Sequence, residues 1–127
     1  MSLINGVHHV ALYCDRPESF KQTVDFYHCV LGIPIKRVWD GGAMLDAGGV
    51  LLEIFETGAP ENAEGVIRHF ALTTGDVDAC VKAVTAAGYE VFMEPNDIVI
   101  ASEPPFPARI AFCYGPMGEQ IEFFCEK

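Results

Sequence analysis

The chain has 127 residues, half of them apolar, enough for one domain with a real core and too few for a second independent one. Eighteen acidic residues against eight basic ones give a formal charge of −10, so nucleic acid and anionic membranes are poor partners and a small ligand is the better expectation. No apolar run approaches the roughly 20 residues that cross a bilayer, no basic and apolar leader opens the chain, and the five cysteines are odd in number, well spaced and without a CxxC pair; the expectation is a soluble cytoplasmic protein with neither a disulfide framework nor a thiolate zinc site.

In chain order, Val7 to Cys14 reads as a strand, and Asp15-Arg16-Pro17-Glu18 as a helix start with Asp15 as its cap. Apolar residues at Phe20, Val24, Tyr27 and Leu31 carry the helical period until Gly32 stops it. Ile35 to Asp40, Ala43 to Ala47 and Val50 to Glu56 are short strands parted by Gly41-Gly42 and Gly48-Gly49. A polar stretch over about 57–65 reads as a linker. The order then repeats: a strand from Ile67 to Thr74, a helix capped by Asp76 and running to about Ala87 with Gly88 behind it, and strands at Glu90 to Met93, Ala108 to Tyr114 and Gln120 to Glu126, with a further short one at Asp97 to Ala101. Aligning His9 with His69 exposes a duplicated strand–helix–three-strand pattern, with one module over about 7–56 and a second over about 66–127. The fold class is α+β.

Strand alternation sorts the polar residues. In the first strand Val10, Leu12 and Cys14 form the apolar set that packs under the helix, with His8 on their side near the helix edge. His9 faces away, with Ala11 and Tyr13. The same argument turns Glu53, His69 and Glu122 away from the helices. Any one of these residues alone is more often a hydrogen-bonded or solvated structural group. Together they put two histidines and two glutamates, one on the first and last strand of each half, among apolar neighbours. Carboxylates are costly there unless a cation neutralises them.

The motifs HVAL (9–12), DFYHCVLGI (25–33), LLEIF (51–55), RHFAL (68–72) and IEFF (121–124), the last after the GPMG turn at 115–118, resemble the vicinal oxygen chelate superfamily from Val7 to Glu126. The resemblance implies paired βαβββ modules forming a curved mixed sheet of the glyoxalase/bleomycin-resistance kind, with a metal on its concave side. It puts the metal ligands on His9, Glu53, His69 and Glu122. Two nitrogen and two carboxylate donors suit one divalent Ni, Co, Fe, Mn or Zn ion.

Within that superfamily the chain resembles glyoxalase I. The resemblance to it implies a lyase or isomerase that abstracts a proton from a substrate chelated through two adjacent oxygens, with Glu122 as the base, Glu53 as the second choice, and glutathione as a co-substrate. Tyr13 stands where the glutathione-dependent enzymes usually carry a basic residue, GPMG replaces the family's DPDG, and the connection to the first helix is longer. An epimerase is a further reading, although methylmalonyl-CoA epimerases usually carry Gln at the position of Glu53. A metal-free binding protein of the bleomycin-resistance kind is the non-enzyme rival, and retention of all four ligands argues against it. Tyr13, Phe55, Phe124 and, from the alternation of ARIAFCY, Arg109 and Cys113 are the expected substrate contacts. Exposed sheet edges and the family's habit predict a homodimer.

Overall fold

The computed structural model describes residues 7–59, 68–102 and 104–127. The chain divides into two compact units, Met1–Glu61 and Asn62–Lys127. Most of the sequence-predicted linker, and the start of the strand expected from Ile67, lie outside the described residues.

The first unit runs β1 (His9–Tyr13), α1 (Pro17–Asp25), a π-helical turn (Phe26–Val30), β2 (Ile35–Trp39), β3 (Gly42–Asp46) and β4 (Leu51–Phe55), with the sheet ordered β1-β4-β3-β2. β1 and β4 are parallel, and the other two pairings are antiparallel. Arg16, not Asp15, caps α1. Pro17 fits the first helical position because it has no N–H to leave unsatisfied. The Arg16 N–H donates to Ser19 Oγ at 3.2 Å, and Asp15 helps from outside the helix by accepting the Ser19 hydroxyl. α1 then widens into the π-helical turn, and the chain leaves it at Gly32, whose φ of 77° only glycine adopts freely.

The second unit repeats the plan: β5 (His69–Thr73), α2 (Val77–Ala86), β6 (Val91–Ile100), β7 (Phe106–Tyr114) and β8 (Gln120–Glu126), ordered β5-β8-β7-β6 with β5 parallel to β8. The Asp76 carboxylate accepts the Ala79 N–H at 2.9 Å, as a cap should. β6 differs from expectation. The two short strands read on either side of Pro95 are one edge strand, and shifts in its register around Met93 absorb the proline. An edge strand tolerates a residue that cannot donate to the ladder.

Each core lies between helix and sheet. In the first unit Cys14, Phe26, Tyr27, Leu45, Leu52 and Ile54 are essentially inaccessible, as are Val77, Val84, Ala111, Cys113, Ile121 and Phe123 in the second. Each large side chain among them contributes about 1.5–3 kcal/mol by leaving water. This burial sets the strand alternation, and the opposite sheet face receives the polar and aromatic remainder.

Candidate functional site

Because β1 runs parallel to β4 with Ala11 opposite Glu53, the residue two before Ala11 leans toward the same carboxylate. His9 Nε2 stands 3.4 Å from Glu53 Oε1. The second unit repeats the arrangement from Ala71 opposite Glu122, with His69 Nε2 at 3.3 Å from Glu122 Oε1. The imidazoles are well exposed, while both carboxylates are mostly covered, Glu122 retaining 12 % of its side-chain surface. Loss of water pushes the Glu122 carboxyl above the usual carboxylate range, with His69 opposing the shift in part.

Both separations exceed the usual 2.7–3.2 Å of an N–H···O hydrogen bond. They match another geometry. Two donors each about 2.1 Å from one ion stand about 3.0 Å apart at a square angle and about 3.4 Å apart at a tetrahedral one. Within each pair the donor types and their separation are those that a divalent transition ion accepts. The structure brings the four sequence-predicted ligands together pairwise. No cluster of three or more His, Cys, Asp or Glu side chains suited to an ion forms among the described residues.

His8 lies in the segment before β1 and places its Nδ1 2.9 Å from His9 Nδ1, the two rings meeting edge to face at 5.2 Å. One of the two nitrogens donates. When it is that of His9, His9 Nε2 keeps its lone pair, the form that a metal ligand needs.

Tyr13 and Phe55 are partners across β1 and β4, stacked with ring centroids 4.9 Å apart and planes 16° from parallel. Trp39, missed in the sequence, closes on Phe55 at 6.1 Å. Its indole lies over Gly42, where a Cβ would come within 2.4 Å of the ring. In the second unit His69 meets Phe112 edge to face at 5.1 Å, and Phe92 joins Phe112 and Tyr114 at 5.4 and 4.4 Å. Phe124 shares the Glu122 side of β8 and contacts Phe106 at 6.0 Å.

Arg109 and Cys113 do not belong to this face. Their cross-strand partners are Cys125 and Ile121, on the opposite side of β8 from Glu122. Arg109 grips the Asp78 carboxylate of α2 at 2.8 and 2.9 Å and Asp97 at 3.1 Å, and these carboxylates raise its pKa. Cys113 is fully enclosed, and burial pushes its thiol up to about 12, which removes it as a nucleophile. The residues facing the Glu122 side of β7 are Ile110, Phe112 and Tyr114.

A family model described as the glyoxalase/bleomycin resistance protein/dioxygenase superfamily matches residues 6–123. The chain belongs to that superfamily. Among solved structures it resembles TnmS3, an antibiotic-binding protein from Streptomyces sp. CB03234, at 20% identity over 100% of both chains with a TM-score of 0.75. It also resembles a glyoxalase/bleomycin resistance protein/dioxygenase from Alicyclobacillus acidocaldarius (21% identity, 96% of this chain and 92% of that one, TM-score 0.69) and another from Nocardioides (23%, 99% and 86%, TM-score 0.65). At these identities the likeness establishes the fold alone. No curated protein matches the sequence.

Proposed function

We propose that the chain is a metal-dependent enzyme of the glyoxalase family, a lyase or isomerase acting by proton abstraction on a small substrate that presents two adjacent oxygens. The observation that carries this reading is the recurrence of one His–Glu pair, at 3.4 and 3.3 Å, in equivalent places of the two modules. His9, Glu53, His69 and Glu122 would hold one divalent Ni, Co, Fe, Mn or Zn ion, which supplies Lewis-acid polarisation and a template for the substrate oxygens. Glu122 accepts the carbon-bound proton, with Glu53 in second place. Its desolvation raises its basicity in the direction that a general base requires. Thiol dependence rests on the likeness to glyoxalase I, and Tyr13 offers no charge to a glutathione carboxylate. The reading includes a cytoplasmic homodimer.

Metal analysis of protein purified without chelator tests the proposal. About one ion per chain is expected, lost in both His9→Ala and Glu122→Gln. Two ions per chain would mean that each pair binds separately. A folded protein that takes up no Ni, Co, Fe, Mn or Zn would sink the proposal in favour of a metal-free binding protein. Solvent deuterium entering 2-oxoaldehydes and 2-hydroxy ketones, with and without glutathione, then separates thiol-dependent lyase chemistry from simple isomerisation.

A further inference from the structure

The register of the first module sorts its open sheet face into rows running across the strands. One row is Tyr13, Phe55, Gly42 and Trp39; the row beside it is Ala11, Glu53, Met44 and Arg37. In the first row Gly42 leaves a gap that the Trp39 indole covers, so three rings form a continuous strip, with Tyr13 47% and Trp39 37% exposed. Large apolar groups left open to water in a contiguous row are a binding feature more often than a packing one. In the second row the Arg37 guanidinium rests on the Met44 thioether at 3.4 Å. Among the described residues no carboxylate lies within ion-pair distance of Arg37, although the chain carries eighteen acidic residues. Glu53 is two strands away in the same row, about 10 Å at the usual strand spacing and too far to neutralise it.

We infer that this face seats a flat aromatic anion, its ring on the Tyr13–Phe55–Trp39 strip and its acidic group on Arg37. Adjacent rows are two residues apart along a strand, about 7 Å, which is the step from a ring lying on the strip to a carboxylate meeting the guanidinium. Rings stack on rings with little sequence demand, and a single exposed cation in an acidic protein selects the sign of the substituent. The inference goes beyond the metal reading and does not depend on it, since the strip and Arg37 belong to the first module and need no ion.

Trp39 is the sole tryptophan, so its fluorescence reports on the strip directly. The full chain is titrated in excess chelator with 4-nitrobenzoate, a quenching aromatic anion, and with uncharged 4-nitrobenzyl alcohol; cyclohexanecarboxylate is tested as a competitor. The expected result is saturable quenching by 4-nitrobenzoate, with affinity about tenfold above that of the alcohol. Cyclohexanecarboxylate should displace it only at concentrations about tenfold higher or more, the cost of giving up ring stacking. Arg37→Met should bring the acid down to the level of the alcohol and leave the alcohol unchanged, Arg37→Lys should retain part of the preference, and Phe55→Leu should weaken both ligands. Absence of saturable quenching, equal binding of acid and alcohol, or an acid preference unchanged in a folded Arg37→Met protein would each overturn the inference. So would a ligand-free Trp39 spectrum that changes with protein concentration in step with dimer mass by sedimentation, because a second copy would then occupy the strip. The chelator keeps a failed metal proposal from counting against this one.

Discussion

His8 and His9 present the same side chain in adjacent positions and differ only in what their nitrogens reach. His9 Nε2 turns to Glu53, while His8 reaches the other nitrogen of the same ring. A partner on the far nitrogen fixes the tautomer and tilt of a ligand, and its loss typically costs 10–100-fold in metal affinity. His8→Ala is therefore expected to weaken metal binding about tenfold in a competition titration, and His9→Ala by much more; equal losses would show that His8 itself ligates. Glu122 carries an opposite pair of effects. Its raised pKa means that folding disfavours the charged form, so in metal-free protein its contribution worsens as pH rises past the ordinary carboxylate value. Glu122→Gln should leave the chelated protein as thermostable as the parent at neutral pH, or more so, while cutting turnover about 10²–10⁴-fold. At this scale strand alternation turned His9, Glu53, His69 and Glu122 to one side of their sheets, and the structure pairs His9 with Glu53 and His69 with Glu122. Alternation failed at β7, where Ala111 and Cys113 on one side and Ile110, Phe112 and Tyr114 on the other are both apolar enough to be core. Arg109 was read as marking the site face, but its carboxylate partners sit on α2 and β6, which nothing local to β7 reveals.

At the level of elements, Arg109 is a clamp. It ties the first turn of α2, through Asp78, to β7 and, through Asp97, to β6; Lys127 closes on Asp97 at 2.9 Å. Hydrogen bonds from Arg109 hold the Asp78 carboxyl below its usual range, and those from Lys127 and Arg109 do the same for Asp97. A depressed folded pKa contributes stability that is present above the unfolded value of about 3.9 and lost as pH falls through the folded one. Arg109→Met should therefore flatten the acid limb of the stability curve below about pH 4, and hydrogen exchange should show the α2 amides opening more readily than those of α1. Element types were legible in the sequence because apolar spacing and glycine stops agree with the burial that the fold enforces. Less legible were local adjustments: the move of the cap from Asp15 to Arg16, the π-helical widening after Asp25, and β6 continuing through Pro95. Each is decided by register or by a side chain several residues away, which a local pattern does not encode.

For the whole molecule, the internal repeat was the most legible feature, since two sheets of identical strand order follow from one pattern written twice. The charge of −10 acts at this scale too. Self-repulsion is long-ranged and screened over about 8 Å at physiological ionic strength. Thermal midpoints should rise as sodium chloride increases from about 0.02 to about 0.5 M and the screening length falls from about 20 to about 4 Å, whereas a fall would mean that local ion pairs outweigh net charge. Trp39 and Arg37 carry no signal in the sequence because β2 sets two adjacent cations among three apolar residues and has no clear buried side; only its pairing with β3 orients it.

The parallel pairing of β1 with β4, and of β5 with β8, also governs when each module can be completed. A first strand whose one sheet neighbour among the described residues is the last strand of its module cannot dock until the helix and the two intervening strands have been laid down. Such distant closure is slow, and its entropic cost precedes its contacts. His9 faces Glu53, and His69 faces Glu122, only after that closing step. The His–Glu pairs thus mark finished modules: a nascent or half-folded chain offers scattered single side chains, and a ligand that needed both members of a pair would select the chains that have completed their sheets.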